Sequence, residues 1–306
     1  MGDRLERGLM ISRDRAETIL RNCRRLGAEY VTFLGGEPSL HPDLPSIIDD
    51  AWNLGYKQVM IDSNGLLFDR LTRVPPEKLY YMTISLDGAS AETHERIRGL
   101  RTFDKTVENL KRLVGLGYRT RINCTICSFN VHEAEALLGL ADSIGIDLVN
   151  FHTFSEEGCG SHKDWSLKPD EWIEFYEHLE SVRDQYNASI WYPPTWATRS
   201  KLDRFAEEGF RGCLGCSLDR LSIFPDGRCY VCSVMFDEAA HFATMTDTGL
   251  VLNRVANEFD LFTSALLNAS TPEASGCPAE RVLESRGKAP TPDHLIPICR
   301  CWKSQA

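Results

Sequence analysis

Between residues 12 and 154 helix-patterned and strand-patterned segments alternate at the spacing of βα units, and this restricts the fold more than any other feature. Ser12 precedes a stretch in which Ala16, Ile19, Leu20 and Cys23 recur at helical spacing, and Gly27 supplies the stop. The strand YVTFLG follows at 30–35. A helix over 42–54 opens with Pro42 and closes at Gly55, and KQVMIDS gives a second strand. YYMTISL at 80–86 is a third strand, and a helix runs from near Thr102 to Gly117. RTRINCTI, EAEALLGLADSIG and DLVNFHTF then supply strand, helix and strand. The alternation predicts parallel strands joined by right-handed crossovers, in an open sheet or a barrel.

Polar, glycine-rich sequences sit just after these strands: GGEP at 35–38, DSNG at 62–65 and SLDG at 85–88. Strand ends are where α/β folds carry their chemistry. Gly35 and Gly36 allow close backbone approach, and the Glu37 carboxylate suits an ammonium group. Ser63, Asn64, Ser85 and Asp87 offer groups matched to the hydroxyls and polar head of a nucleoside-like ligand. Each set alone reads equally well as a tight turn, a cap or an Asx-turn. Three sets at the same end of successive strands favour a shared mouth.

Beyond 154 the pattern changes. DEWIEFYEHLESVRDQY at 170–186 is a long amphipathic helix, SIWYP a strand, and LSIFPDGRCYVC a hairpin turning at Asp226–Gly227. GLVLNRVANEFDLFTSALL, beginning at Gly249, has a helical pattern. A boundary near 200–212 divides a domain at 1–205 from one at 206–306. The latter holds most of the clustered cysteines. The chain has eleven cysteines and no signal-peptide stretch, so a metal or iron–sulfur site is favoured over a disulfide framework. Cys213 and Cys216 share C-x2-C spacing with Cys229 and Cys232, which suits structural zinc or an iron–sulfur cluster. Cys277, Cys299 and Cys301 are surplus to a zinc reading. Cys124 and Cys127 straddle a strand end, where alternation puts Cys124 inside and lets Cys127 face the mouth, with a metal role disfavoured. No apolar run approaches the roughly 20 residues of a membrane helix, so a cytoplasmic location is expected. The net charge of −10 argues against bulk nucleic acid as a partner.

Taken in order, VTFLGGEPSLHPDL, IDSNG, ISLDGASAETHERIRG, FDKTVENLKRL and INCTICSFN resemble the radical S-adenosylmethionine superfamily from Ser12 to about Thr153. CLGCSLDRLSIFPDGRCYVC, GCPAE and ICRCW resemble the C-terminal auxiliary iron–sulfur module called SPASM, or its shorter twitch form. The resemblance implies an α/β fold: a partial (β/α)6 TIM-like barrel lacking its first strand, with a small cysteine-rich C-terminal module. It implies S-adenosyl-L-methionine as cofactor, its amino and carboxylate groups chelating a catalytic [4Fe–4S] cluster. Cleavage then gives methionine and a 5′-deoxyadenosyl radical that abstracts substrate hydrogen. Gly35, Gly36 and Glu37 would receive the methionyl ammonium, with Ser63 and Asn64 near the cofactor. Ser85 and Asp87 would lie near its carboxylate or ribose and Asn123 beside the ribose, while the strand holding Val149 and Phe151 borders the adenine. Cys213, Cys216, Cys229, Cys232, Cys277, Cys299 and Cys301 would hold one auxiliary [4Fe–4S] cluster, two at most.

The expected activity is that of an oxidoreductase acting on a small metabolite or a ribosomally made peptide, served by an electron-donor protein. The alternative is a non-catalytic metal-binding scaffold or partner subunit. The family places C-x3-C-x2-C ahead of the helix found here at 12–27, whereas residues 1–22 contain no cysteine. Two expectations follow: a cluster-bearing segment upstream of residue 1, or a degenerate relative. Either way the chain as written is expected to be inactive alone.

Overall fold

The computed structural model describes residues 10–154, 163–193, 196–198, 220–230, 241–253 and 295–297. Among these, residues up to Phe154 together with Leu179–Tyr192 form one compact unit. Residues 163 to His178 and those from Pro193 onward belong to a second.

In the first unit, α1 (Arg13–Arg25) starts where the Ser12 hydroxyl accepts the Arg15 N–H at 3.3 Å. Asp14 in its first turn and Arg24 and Arg25 in its last complement the helix dipole. Ala16, Ile19 and Leu20 are buried, and Gly27, at φ +94°, makes the turn out. The order continues β1 (Tyr30–Phe33), α2 (Leu44–Asn53), β2 (Gln58–Ser63), α3 (Phe68–Leu71) and β3 (Tyr81–Ser85). It then runs α4 (Ala91–Arg98), α5 (Phe103–Gly115), β4 (Thr120–Ile126), α6 (Ala134–Ile144), β5 (Leu148–Thr153) and β6 (Ser189–Trp191), while α7 (Pro169–Val182) is divided between the two units after His178.

The six strands form one parallel sheet in sequential order, β1 to β6. Successive right-handed crossovers that all step in one direction place their helices on one face. The register identifies that face. Val59, Ile61, Met82, Ile84, Ile122, Cys124, Val149 and Phe151 share it, and all are buried. A methyl group added at Gly65 would touch both Ile84 and Thr106 of α5, so this wall lies against the helices. The opposite face carries Thr32, Met60, Asp62, Tyr81, Thr83, Ser85, Arg121, Asn123, Thr125, Asn150, His152 and Trp191. Among the described residues β1 pairs only with β2, and Tyr30 is 57% exposed.

In the second unit, Trp172 and Tyr176 of α7 are fully buried, and the Trp172 indole N–H donates to the Pro193 carbonyl at 3.2 Å. β7 (Trp196–Thr198) pairs antiparallel with β12 (Leu295–Pro297). A separate antiparallel sheet runs β11-β10-β9-β8, with β8 Ser222–Ile223, β9 Arg228–Tyr230, β10 Ala243–Met245 and β11 Leu250–Leu252. The β8–β9 hairpin turns at Asp226–Gly227, where Gly227 has φ +86° and the Asp226 carboxylate accepts the Arg228 N–H at 3.0 Å. The structure corrects the start of the helix read from Gly249, because Leu250–Leu252 is a strand paired with β10; residues 254–267 of that reading lie outside the described residues. A short apolar run has no period of its own. The turn closed by Thr246 N–H to the Gly249 carbonyl at 2.8 Å sends this one back along β10.

Candidate functional site

Both faces of a parallel sheet are normally buried and apolar, so strands with alternating polar residues need explaining. At the lower, N-terminal end the polar face is closed. The Arg121 guanidinium stacks 3.6 Å from the Tyr81 ring centroid, Arg119 donates to the Tyr81 hydroxyl at 2.6 Å, and Tyr81, Arg121 and Leu148 are buried. Burial lowers the Arg121 pKa, with Tyr81 opposing the shift. Toward the C-terminal strand ends the face opens: Asp62, Ser85, Asn123, Thr125, His152 and Trp191 are half-buried. The His152 and Trp191 rings lie 6.0 Å apart.

A polar row crosses the centre of this face. Ser85 stands in register with Asn123, Asn123 with Asn150, and Asn150 with Trp191. The Asn150 amide donates to Asn123 Oδ1 at 2.9 Å. Asn150 is only 4% exposed, and its Oδ1 has no hydrogen-bond partner among the described residues. A buried acceptor left in this state costs about 1–3 kcal/mol.

Glu37 fastens the first two strand ends together. Its carboxylate accepts the Ser39 N–H at 3.0 Å, the Ser39 hydroxyl at 2.5 Å, the Ser63 hydroxyl at 2.7 Å and the Asn64 N–H at 2.8 Å. Three of these donors converge on Oε1 and one on Oε2. Asn64 Oδ1 accepts the Leu66 N–H at 2.9 Å in an Asx-turn. Gly35 adjoins open space, since nothing lies within 4 Å of where its Cβ would stand.

Asp87 is 0% exposed and fastens the third strand end to the fourth. Its carboxylate pairs with Arg98 and accepts the Thr125 N–H at 2.6 Å. Its own N–H donates to His94 Nδ1 at 3.1 Å. Burial lowers the His94 pKa, keeping the ring neutral and able to accept this bond.

The structure therefore brings Glu37, Ser63 and Asn64 into one network and Ser85, Asn123 and Asn150 into one row. Val149 and Phe151, both 0% exposed, stand on the helix-facing wall, because alternation turns their side chains away from the face bearing Asn150 and His152. Cys124 and Cys127 are buried, and burial holds the Cys124 thiol well above its ordinary pKa. Cys229 is buried on β9, its thiol donating to the Gly227 carbonyl at 3.4 Å. Cys213, Cys216, Cys232, Cys277, Cys299 and Cys301 lie outside the described residues. Sequence reading gave no role to Asn150 or Thr125, although N-F-H and N-C-T in their strands already showed the polar alternation.

The family model of the Radical SAM superfamily matches residues 4–141. A protein described as a probable GTP 3',8-cyclase from Saccharolobus solfataricus is 26% identical over 229 residues, covering 73% of this chain and 73% of its own length. A probable GTP 3',8-cyclase from Sulfurisphaera tokodaii is 26% identical over 164 residues, covering 52% of this chain and 50% of its own. Among solved structures, Streptococcus suis SuiB bound to S-adenosylmethionine superposes with a TM-score of 0.62 at 18% identity, over 72% of this chain and 53% of SuiB. Native anSMEcpe with bound AdoMet gives 0.59 at 18% identity, over 77% of this chain and 69% of its own. The chain thus spans about half the length of SuiB. These structures share its fold. The segment that builds β1 to β4 and the polar loops after them is the part of the chain that resembles the Radical SAM superfamily.

Proposed function

We propose that the polar face of the parallel sheet binds S-adenosyl-L-methionine, and that the chain is the core of a radical S-adenosylmethionine oxidoreductase. The supporting observation is the row Ser85, Asn123 and Asn150 with its buried, unsatisfied Asn150 Oδ1, an acceptor suited to a ligand hydroxyl. Asn123 and Asn150 would hold the ribose, and Ser85 the ribose or carboxylate side. The Gly35–Gly36–Glu37 backbone would receive the ammonium, while the Glu37 carboxylate holds Ser63 and Asn64 in place. His152 and Trp191 would border the adenine or the substrate. The apolar wall behind them keeps the strands rigid, so the polar groups are oriented before the ligand arrives.

When bound at a reduced iron–sulfur cluster, S-adenosylmethionine supplies hydrogen-atom abstraction, which no side chain on this face can perform. Among the described residues no three Cys, His, Asp or Glu side chains are placed to hold a metal ion, so they do not furnish the ligands of a catalytic cluster. For the auxiliary [4Fe–4S] cluster the proposed ligands come from Cys213, Cys216, Cys229, Cys232, Cys277, Cys299 and Cys301. The substrate class is a small metabolite or a peptide, in keeping with relatives described as probable GTP 3',8-cyclases and with SuiB, solved bound to a precursor peptide. An electron-donor protein completes the system.

Equilibrium dialysis of the anaerobically reconstituted protein against S-adenosylmethionine tests the reading. Saturable binding is expected, weakened about tenfold by Asn150→Leu, which removes the amide but keeps the branched outline of the side chain. No saturation up to about 1 mM would overturn it. Iron and sulfide analysis tests the auxiliary site. One zinc per chain without sulfide rules out the cluster.

A further inference from the structure

The loop after β4 closes over the loop after β3 at two points. Asn130, 2% exposed, donates through Nδ2 to the carbonyl oxygens of Asp87 at 2.9 Å and Thr125 at 2.8 Å. Its Oδ1 accepts the Cys127 N–H at 2.6 Å. Three residues on, the Glu133 carboxylate accepts the Ala89 N–H at 2.7 Å, the Ser90 hydroxyl at 2.8 Å and the Thr93 hydroxyl at 2.6 Å. Burial opposes ionisation of Glu133, but these hydrogen bonds outweigh it and lower its pKa.

The backbone explains why such bridges are needed. The ladder between β3 and β4 runs up to the Leu86 N–H donating to the Asn123 carbonyl at 2.9 Å. The β3 chain then turns away at Asp87–Gly88, and regular pairing with β4 cannot continue. Side chains take over: Asp87 Oδ1 receives the Thr125 N–H, and Asn130 spans the Asp87 and Thr125 carbonyls. Gly88 permits the approach. A Cβ there would lie 2.9 Å from Glu133 Oε2 and 2.9 Å from Thr93 Cβ. Both donors of the Asn130 amide are used, as a buried amide requires.

Ser85, Asn123 and Thr125, which open onto the polar face, stand within two residues of the atoms that Asn130 and Asp87 bridge. We infer that Asn130 and Glu133 are positioning residues: together they form a clasp that sets the spacing of the β3 and β4 ends, and so of the polar groups those ends present to the cofactor. The inference rests on the reading of this face as the cofactor-binding face. Neither residue touches the ligand. Displacing recognition groups by about 1 Å breaks the hydrogen bonds they offer, each worth up to about tenfold in affinity, so loss of the clasp reads out as loss of affinity.

The test compares Asn130→Ala, Asn130→Asp and Glu133→Gln with Tyr118→Phe, by S-adenosylmethionine affinity in equilibrium dialysis and by amide hydrogen exchange. Asn130→Asp keeps the volume and loses both donors, and it serves where the alanine variant does not fold. Tyr118→Phe is the stability control: it removes a buried hydrogen bond to the Val74 carbonyl, 2.6 Å, ahead of the closed end of β4. The expected result is affinity lower by about tenfold or more in the clasp variants at a temperature well below melting, with Tyr118→Phe unchanged. Exchange should accelerate at 85–90 and 123–127 and nowhere else in the sheet. Unchanged affinity in the clasp variants, or an equal loss in Tyr118→Phe, would overturn the inference. If the wild-type protein binds no S-adenosylmethionine, the cofactor reading fails and exchange alone decides the clasp: local acceleration supports it, uniform acceleration refutes it.

Discussion

Replacing Gly65 by alanine tests how tightly the polar loops are seated on the apolar wall. Gly65 has φ +75°, and its carbonyl accepts the Asn109 amide at 2.7 Å. An added Cβ would stand 2.7 Å from Ile84 Cγ2, 3.5 Å from Ile84 Cδ1 and 3.7 Å from Thr106 Cγ2. The left-handed backbone costs a residue with a Cβ about 1–2 kcal/mol. Ile84 is fully buried and cannot swing clear, so the overlap adds an overpacking cost of about 1–3 kcal/mol. Reduced freedom of the unfolded chain returns roughly 0.4–1 kcal/mol. The net loss is about 1–4.5 kcal/mol, a sizeable part of the roughly 5–15 kcal/mol that holds an ordinary domain folded. Gly55→Ala is the control, because Gly55 has φ +78° and nothing within 4 Å of its Cβ position. Urea unfolding of both variants isolates the steric part, provided the slope stays constant. A Gly65→Ala loss no greater than that of Gly55→Ala would refute the packing argument.

Acid should destabilise the protein in steps. Burial holds the His94 pKa below its ordinary 6.5, so that contribution is fully present above 6.5 and is lost as pH falls through the folded-state value. The Glu95 pKa is lowered by the Arg101, Phe103 and Thr102 N–H groups, and that of Glu133 by hydrogen bonds that outweigh its burial, so both contributions fade as pH drops below 4.5. Melting temperature against pH checks this, and His94→Gln should remove the first step. A rise in stability on acidification from 6.5 would contradict the assignment. Cys124 and Cys127 should resist iodoacetamide in the folded protein and react in urea, because the first has a raised pKa and both are buried; labelling of the native protein at the unfolded rate would exclude this packing. Asp142 accepts the Asn187 N–H at 2.9 Å and the Ala188 N–H at 2.8 Å at the entry to β6. Asp142→Ala should therefore cost about 1–3 kcal/mol in urea unfolding, and an unshifted midpoint would deny Asp142 this role.

The β/α core was legible because each helix carries its own punctuation and each strand its own period. Ser12 caps α1 and Gly27 ends it, and the polar loops follow β1, β2 and β3 where the strand pattern stops. Leu250–Leu252 was misread because three apolar residues support either period, and the deciding bond, Thr246 to Gly249, belongs to the turn before them. The roles of Glu37, Asp87 and Asn130 lay beyond sequence reading for a different reason. Their partners come from other loops: Ser63 and Asn64 for Glu37, Thr125 for Asp87, and Asp87 and Thr125 for Asn130. Chain order does not reveal which loops meet.

The orientation of β5 was readable, and it shows where function lies in this sheet. In Leu148–Thr153 the order Val, Asn, Phe, His alternates apolar with polar, and the same holds for Ile, Asn, Cys, Thr in β4. Parallel strands covered on both sides have no use for such alternation and are apolar throughout. One side must therefore be wet or must hold a ligand. The side with the helices is the dry one, so Val149 and Phe151 belong to the wall and Asn150 and His152 to the opposite face. Seating Thr83, Arg121 and Asn150 in the buried part of that face costs stability that an apolar filling would not. The strand-end motifs gain their meaning from this face: a tight turn at GGEP, DSNG or SLDG alone is ordinary, but all three border a sheet surface whose polar groups packing does not explain.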